Sequence, residues 1–385
     1  MAFDFISARV AEKSAAGYLR ARTCVEYEKD GIICVDGAHY LNFASNDYLG
    51  MRQHEGVLQS WVEGLAQFGA GSGASPLVTG YTQAHAALEG YLESHLNRDA
   101  VLLFNSGFAA NQAICQALLK DNTRVLADKY MHASFIDGAL ASQAPFRRFA
   151  HNDMSHLATL LEKGEGDCLV ATEGVFSMDG DVPPVSELVS LCQTHNAWLM
   201  LDDAHGFGVL GENGLGTAEL DGLSQHALPV LMGTFGKAVG TAGAFVAGSQ
   251  AFINYLINEA RHYIYSTAMP AAQAVATLYS LTAIAAGDER QKLFDNIALF
   301  RRLIKDSGLT VAASDSAIQP VLTDGPMQAM ALSKALRERG IWVPAIRYPT
   351  VPKGTDRLRI TLSASHNEQD IRALVDALQL ARDTL

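Results

Sequence analysis

The chain has 385 residues, 49% of them hydrophobic, and a formal net charge of −12. This length predicts two packed regions, the apolar content excludes a disordered chain, and the negative charge disfavours nucleic-acid binding, although a local basic pocket could still bind one anionic ligand. No apolar run is long enough to predict a membrane span, and the first 22 residues lack the apolar core of a secretory signal. We therefore expect a cytoplasmic protein.

The first elements predicted along the chain are an amphipathic helix and a short hairpin containing "VDG", both before residue 45. They are too small to form a domain, so we interpret residues 1–45 as an N-terminal arm. The "GAGSGAS" run at residues 69–75 follows no predicted strand and has the wrong spacing for a dinucleotide fingerprint, and we interpret it as a loop.

From about residue 100, short apolar runs alternate with amphipathic ones. The runs "AVLLFNS", "TRVLADK" and "DCLVATEG" precede "FAANQAICQALLK", "HASFIDGALAS" and "VSELVSLCQTHN", and "AWLMLDDAHG" follows them. This rhythm predicts an α/β fold in which helices cover a mostly parallel sheet, within a large domain of residues 46–270. Ligands bind at the carboxyl ends of the strands in such sheets, so polar residues after the apolar runs are candidates for the site.

The remaining elements predict a smaller α+β domain over residues 271–385. A long helical region is followed by "SAIQPVLT", the helix "MQAMALSKALRERG" and "RLRITLS".

The first candidate site along the chain is "NSGFAAN", residues 105–111, at a predicted strand-to-helix junction. Backbone N–H groups at such a helix start, together with the helix dipole, favour an anion. An ordinary turn is the alternative. His132, in "MHAS" after the next strand, could stack on a flat ring.

Asp202 and His205 follow the run "AWLML" and could face one site. A carboxylate at a strand end can keep a pyridinium nitrogen protonated, which makes the attached ring an electron sink. Metal binding or capping of the following turn are the alternatives.

Lys237 is the only Asp, Glu, Lys or Arg between Asp221 and Glu259. The spacing of its glycines does not match a P-loop. A lysine in a surface turn would explain the glycines, whereas a desolvated lysine with a lowered pKa could form a Schiff base with a carbonyl and would explain the isolated charge.

Six motifs together resemble the α-oxoamine synthases, a family of pyridoxal-phosphate enzymes of fold type I. They are "NSGFAANQA", "HAS", "TEGVFSMDGD", "DDAHG", "TFGK" and "YSTAMP". Within the family, "LNFASNDYLG", "DDAHGFGVLGENG", "RHYIYSTAMP" and "AIRYPTVPKGTDRLRITLSA" are most similar to the branch that serves biotin synthesis. The resemblance implies a mostly parallel seven-stranded sheet in the large domain, a small α+β C-terminal domain and an N-terminal arm.

The resemblance also implies roles for individual residues. Lys237 would bond the cofactor, Asp202 would pair with its ring nitrogen, His132 would stack on the ring and serve in proton transfer, and Ser177 and His205 would bind near its phenolic oxygen. The phosphate would be bound by Gly107, Phe108, Thr234 and, from a partner subunit, Ser266 and Thr267. Asn46 and Arg359 would bind the amino-acid carboxylate, and Arg20 and Thr350 the acyl substrate.

The reaction implied by the resemblance joins L-alanine to a pimeloyl thioester, carried by coenzyme A or by an acyl carrier protein, and releases carbon dioxide and the thiol. The enzyme would be a homodimer with a shared active site and no metal. The alternative is another member of the family, which uses glycine or a long-chain acyl group.

Overall fold

The N-terminal arm consists of a helix and a small sheet in the computed structural model, which describes residues 2–16, 18–120 and 122–384. Helix α1 (Phe5–Ala15) buries none of its residues. Strands β1 (Tyr27–Lys29), β2 (Ile32–Val35) and β3 (Ala38–Asn42) pair antiparallel. Asp36 and Gly37 connect β2 to β3 with φ values of 51° and 73°, the left-handed conformation that two-residue hairpin turns require. The predicted "VDG" hairpin is therefore confirmed.

Two helices, α2 (Glu55–Phe68) and α3 (Gln83–Leu96), precede the main sheet. The glycine-rich run at residues 69–75 lies between them as irregular backbone, followed by a π-helical turn at Pro76–Gly80. The prediction of a loop in this run is confirmed.

Strands and helices then alternate along the chain, as the sequence pattern predicts. The elements are β4 (Ala100–Phe104), α4 (Gly107–Leu118), β5 (Thr123–Asp128), α5 (Ala133–Ser142), β6 (Phe146–Phe149), α6 (Met154–Glu162), β7 (Asp167–Glu173), α7 (Val185–Thr194), β8 (Trp198–Asp202), α8 (Thr217–Leu220), β9 (Val230–Thr234), β10 (Ala244–Gly248), α9 (Gln250–Glu259) and α10 (Arg261–Ile264).

These strands form one seven-stranded sheet in the order β4-β10-β9-β8-β7-β5-β6. Strands β5 to β9 run parallel, and β10 is antiparallel to both of its neighbours. Every residue of β4, β9 and β10 is buried, which explains why the strands appear as continuous apolar runs in the sequence. The predicted seven-stranded, mostly parallel sheet is confirmed.

The C-terminal part of the chain adds helices and a second sheet. Its elements are α11 (Ala271–Ala286), α12 (Glu289–Ile304), β11 (Ile318–Leu322), α13 (Pro326–Arg337), β12 (Ile341–Trp342), β13 (Ala345–Ile346), β14 (Arg357–Thr361) and α14 (Glu368–Asp383). Strands β11, β14 and β13 form an antiparallel sheet, whereas β12 pairs in parallel with β3 of the arm.

Helix α11 packs closely against α2 and against the segment after β9. A Cβ atom on Gly64 of α2 would lie 2.7 Å from the Cα of Ala272, so the helices approach closely where the side chain is absent. The Ser280 hydroxyl donates to the carbonyl of Val239 at 2.6 Å. The domain boundary at residue 270 stays a prediction. Among the described helices, none has both the length and the apolar run that crossing a bilayer requires.

Candidate active site

A cavity of about 190 Å³ lies at the carboxyl ends of the central strands. Glu173 ends β7, Asp202 ends β8, and these two residues are paired in register across the parallel strands. The cavity is lined by Gly107, Phe108, Asn111, His132, Ser134, Glu173, Asp202, Ala204, His205, Met232, Thr234 and Lys237. The sheet therefore brings together Gly107, Phe108, His132, Asp202, His205, Thr234 and Lys237, as predicted.

Lys237 lies in the turn that connects β9 to the antiparallel strand β10. Burial lowers the pKa of its ammonium to about 8 against the opposing charge of the Asp202 carboxylate. With this pKa, about a tenth of the side chain is a neutral, nucleophilic amine at pH 7, and about half of it is neutral at pH 8. Of the three interpretations considered, the surface-turn lysine is wrong, because this side chain lines the cavity.

A chain of hydrogen bonds leads from Lys237 to Arg359. Lys237 Nζ lies 2.8 Å from Nε2 of His205, whose Nδ1 lies 2.5 Å from the Tyr48 hydroxyl. Tyr48 donates to Asn46 Oδ1 at 3.3 Å, and the same oxygen accepts from Nη1 and Nη2 of Arg359 at 3.2 Å each. Because an ammonium only donates, His205 accepts at Nε2 and its proton is assigned to Nδ1.

Burial gives the middle of this chain a fixed protonation state. Burial, with the charges of Lys237 and Arg359, lowers the pKa of His205 well below its usual range. Burial also raises the pKa of Tyr48 to about 12. His205 is therefore a neutral imidazole and Tyr48 a protonated phenol near neutral pH.

Asp202 is 4% exposed and is oriented by two N–H donors. Its Oδ2 accepts from Nδ2 of Asn111 at 2.8 Å, and its Oδ1 accepts from the backbone N–H of Ala204 at 3.1 Å. Asn111 also donates to the Ser134 hydroxyl at 2.9 Å, which lies 2.7 Å from Nδ1 of His132. Donors to both oxygens favour the ionised carboxylate.

His132 is the N-cap of α5 and lines the same cavity. Desolvation lowers the pKa of its imidazole against the opposing charge of Asp202, so the neutral ring predominates near neutral pH.

The start of α4 lies at one end of the cavity. Gly107 and Phe108 are its first two residues, and the first N–H groups of a helix have no partner within that helix. Thr234 lines the cavity nearby, where its hydroxyl donates to the Gly243 carbonyl at 2.8 Å and accepts from Gly236 N at 3.3 Å.

Arg359 of β14 is 5% exposed and reaches the loop after β7. Its Nε donates to the carbonyl of Ser177 at 2.7 Å, and its Nη1 donates to the Thr361 hydroxyl at 3.0 Å. Within the described part of the chain, no carboxylate lies within ion-pair distance of this guanidinium. A buried guanidinium without a counter-ion favours an anionic ligand.

Seven of the predicted residues do not line this cavity. Asn46, Ser177 and Arg359 are connected to it by the hydrogen bonds described above. Ser266 and Thr267 line a separate cavity of about 20 Å³ beside Tyr263. Arg20 and Thr350 are exposed. Their segments nevertheless meet, because the rings of Tyr18 and Tyr348 are 6.0 Å apart in an edge-to-face contact.

The cavity fits the cofactor that the sequence resemblance implies. A cavity of roughly 150 Å³ admits a benzene ring, so there is room for a substituted six-membered ring. The buried oxygens Glu173 Oε1 and Asn111 Oδ1 have no hydrogen-bond partner among the described residues. The cavity matches three groups of this cofactor. A carboxylate matches its ring nitrogen, a lysine amine matches its aldehyde, and a helix start matches its phosphate. Within the described residues, no group of three or more His, Cys, Asp or Glu side chains could bind a metal ion.

Fold and cavity together define a pyridoxal-phosphate enzyme with a lysine at the strand ends of an α/β sheet. The chain belongs to the class I and II aminotransferase family, whose model matches residues 38–378. Two relatives named 8-amino-7-oxononanoate synthase are particularly similar. The protein of Aeromonas hydrophila is 48% identical over 97% of this chain and 94% of its own length, and that of Cellvibrio japonicus is 47% identical over 97% and 94%.

Solved structures agree with this assignment. The 8-amino-7-oxononanoate synthase of Francisella tularensis has a TM-score of 0.78 and 31% identity, over 90% of this chain and 98% of its own. The serine palmitoyltransferase of Sphingomonas wittichii has a TM-score of 0.94 and 28% identity, over 100% and 98%. That of S. paucimobilis, with a bound PLP–myriocin aldimine, has a TM-score of 0.93 and 28% identity, over 99% and 98%. The predicted family and its cofactor, pyridoxal phosphate, are confirmed.

The predicted site residues do not include Tyr48, Asn111 and Glu173, which are polar residues of the site. Each lies inside a motif that the sequence does present, "SNDYLG", "NSGFAAN" and "TEGVF". The signal available for Glu173 was a carboxylate that directly follows an apolar strand, which is the same signal that singled out Asp202.

Proposed function

We propose that the protein condenses L-alanine with a pimeloyl thioester to give 8-amino-7-oxononanoate, carbon dioxide and the free thiol, a step of biotin synthesis. The observation that carries the proposal is the chain of contacts from Lys237 to Arg359, which places an amine and a carboxylate-binding guanidinium in one site. Relatives of this name that match nearly the whole chain support it.

Bound pyridoxal phosphate supplies an electron sink for a carbanion at the α-carbon of an amino acid. Asp202 would keep the ring nitrogen protonated, and its two N–H donors keep the carboxylate ionised and oriented. Gly107, Phe108 and Thr234 would bind the phosphate at the start of α4. Ser177 and His205 would lie near the phenolic oxygen.

Lys237 would bond the cofactor's aldehyde carbon and, after its release, its amine would accept the α-proton of alanine. The lowered pKa of about 8 provides the neutral amine that this proton transfer requires. Arg359 and Asn46 would bind the alanine carboxylate by charge-assisted hydrogen bonds. His132, neutral at the cavity wall, would stack on the ring and assist the return of a proton.

The acyl substrate would bind where the arm meets the loop around Thr350. Arg20 is in the arm, and the contact between Tyr18 and Tyr348 joins its segment to that loop. A pimeloyl chain ends in a carboxylate, for which a guanidinium is a suited partner, whereas a long alkyl chain offers none. This difference favours the pimeloyl substrate over the long-chain alternative suggested by the likeness to serine palmitoyltransferases.

The reaction is tested by thiol release from a panel of acyl thioesters with alanine, glycine or serine. We expect release with alanine and pimeloyl thioester on either carrier, coenzyme A or an acyl carrier protein. Lys237→Ala should abolish it, and borohydride should link the cofactor to Lys237 in the wild type. The exposed lysine variant Lys334→Ala is the matched control. Cofactor found on another lysine, or turnover only with another amino acid, would refute the proposal.

We further propose a cytoplasmic homodimer in which Ser266 and Thr267 complete the partner's phosphate site. Their position outside the Lys237 cavity supports this arrangement, as do large exposed apolar side chains on α2 and beside the cavity. These exposed residues include Leu58, Val62 and Leu65 of α2 and Phe108 at the cavity.

If each active site contains residues of both subunits, two inactive variants should complement each other. Lys237→Ala mixed with Thr267→Arg, after dissociation and reassociation, should recover up to about a quarter of wild-type activity, because half of the molecules are hybrids with one intact site of two. Thiol release before and after mixing, with sizing of the products, measures this recovery. No recovery in mixed dimers of proven composition would mean that each subunit has a self-sufficient site.

A further inference from the structure

Glu173 and Asp202 are two buried carboxyl groups at adjacent strand ends. They are partners in the parallel register of β7 and β8, and side chains at such positions lie on the same face of the sheet. Glu173 is 3% exposed and Asp202 is 4% exposed. Two neighbouring carboxyls removed from water are not both ionised without a large electrostatic penalty, so one of them retains a proton.

Hydrogen bonding decides which of the two carries the proton. Asp202 accepts from two N–H donors, one on each oxygen, at 2.8 and 3.1 Å. Glu173 accepts from one, the backbone N–H of Ser177, at 3.2 Å on Oε2. Its Oε1 is buried without a partner among the described residues. Donors stabilise the charged form, so the proton belongs on Glu173. Burial, followed by the nearby charge of Asp202, accordingly raises the pKa of Glu173 well above its usual range.

The charge of Lys237 favours ionisation of Glu173, but burial and the charge of Asp202 outweigh it and raise the pKa of Glu173. Nζ of Lys237 is hydrogen bonded to His205, and among the described residues no ion pair joins it to Glu173. A second carboxylate, Asp128, lies near enough to oppose ionisation of Glu173 further.

We propose that Glu173 is a neutral carboxylic acid whose Oε1–H donates a hydrogen bond to an anionic or carbonyl oxygen of the molecule bound in the cavity. The proposal rests on the proposed function for the identity of that molecule. Glu173 thereby positions the oxygen beside Lys237 and leaves Asp202 as the negative charge of this pair of carboxyls.

The proton is tested by infrared spectroscopy of the holoenzyme and of the cofactor-free protein. A protonated carboxyl has a carbonyl band that shifts in D₂O. We expect that band in the wild type at about pH 8.5, above the pKa of about 7 that burial gives Asp203 and Glu89. Glu173→Gln should lack the band, and Asp203→Asn, the matched control at a buried acid, should retain it. Absence of the band in the wild type, or its persistence in Glu173→Gln, would overturn the proposal.

The hydrogen bond is tested by comparing two substitutions. Glu173→Leu removes the donor and should lower kcat by roughly tenfold, as expected for one hydrogen bond to a charged or polarised oxygen. Glu173→Gln replaces the O–H by an N–H donor and should restore kcat to within about threefold of the wild type. Equal losses in the two folded variants would indicate an ionised Glu173 and contradict the proposal.

The infrared test of the proton on Glu173 does not depend on whether the reaction itself is assigned correctly. If the wild type releases no thiol from alanine and pimeloyl thioester, the proposed function fails while the infrared band still reports the proton on Glu173. If Glu173→Leu does not fold, the band and the activity of Glu173→Gln decide the question.

Discussion

Lys237 is an isolated charge in the sequence, and in the folded chain it lies among groups that differ in protonation. Its nearest polar partner is the neutral imidazole of His205, at 2.8 Å. Burial dominates its pKa and outweighs the opposing charge of Asp202. The same burial makes its amine reactive near neutral pH.

Asp202 provides the sharpest test of chemistry at a single residue. Asp202→Asn should leave the bond between Lys237 and the cofactor intact, because that bond needs only the amine and the aldehyde. Exchange of the alanine α-proton should fall by about a thousandfold, which corresponds to roughly 4 kcal/mol of lost carbanion stabilisation. Proton exchange in heavy water measures this step without the thioester.

The alternative roles of Asp202 make different predictions. If Asp202 only capped the following turn, Asp202→Asn would lower the free energy of unfolding by about 1 kcal/mol or less and preserve the chemistry, since Asn is also a good cap. If Asp202 were a metal ligand, treating the wild type with a chelator would have the same effect as Asp202→Asn. Near wild-type exchange in a folded, coloured Asp202→Asn protein would mean that another carboxylate serves the ring, and Asp203 is the first to test.

The loop after β7 is the element on which several site residues depend, and it is fixed from two sides. His151, which follows β6, bonds to Asp128 at 2.9 Å and to Asp181 of this loop at 2.7 Å. From the other side, Arg357 of β14 forms an ion pair with Asp179 at 2.5 Å. The loop contains Ser177, whose backbone contacts both Arg359 and Glu173. Both contacts depend on how this loop is anchored.

The His151 contacts predict a pH-dependent stability. Burial lowers the pKa of His151, but its hydrogen bonds with Asp128 and Asp181 outweigh burial and raise that pKa to about 9. A raised folded pKa adds stability that is complete below the unfolded value near 6.5 and is lost as the pH rises through about 9. His151→Gln should therefore lower the free energy of unfolding by an amount on the order of 2 kcal/mol at pH 6 and by much less at pH 10.

Denaturant unfolding of both proteins at several pH values measures this difference. The wild type alone is not informative, because Asp203 and Glu89 also titrate near pH 7. His156→Gln, a histidine at the start of α6, is the control. A difference between wild type and His151→Gln that is independent of pH would mean that the ring is uncharged in the folded protein.

The sequence predicts those strands whose burial produces an apolar run within the strand itself. The runs ending before "NSGF" and "DDAH" predict β4 and β8 because both strands are almost wholly buried. Strand β12, two residues long, has no such pattern and exists because β3 pairs with it. The antiparallel direction of β10 follows from a turn too short for a crossover helix, and the composition of "GAFVAG" does not reveal it.

The site residues divide in the same way, into those that a local sequence pattern predicts and those that only the fold brings together. Lys237, Asp202 and His132 follow apolar runs, so the sequence predicts that they meet. Tyr48 meets His205 across 157 positions, and only the folded chain reveals that contact. The proton on Glu173 depends on its register with Asp202, which apolar patterning does not determine.

At the scale of the whole molecule, the arm is joined to the end of the chain. Ile341 and Trp342 pair in parallel with Leu41 and Asn42, and the backbone of Phe43 donates to Trp342 and accepts from Thr361. The segment that contains Asn46 and Tyr48 therefore lies between the C-terminal strands and the Lys237 cavity. The half of the site that contains Asn46 and Arg359 therefore depends on both ends of the sequence.

This pairing has a consequence for biosynthesis, because a ribosome releases the N-terminal residues first. The segment 38–48 has no β12 or β14 to bind until residues 341–361 have emerged. We expect a nascent chain arrested before residue 341 to expose this segment to protease, and a chain extended well beyond residue 361 to protect it. Equal protection in the shorter chain would contradict this order. The strands that present Lys237 and Asp202 are synthesised earlier, so translation completes the lysine side of the site before the side that contains Asn46 and Arg359.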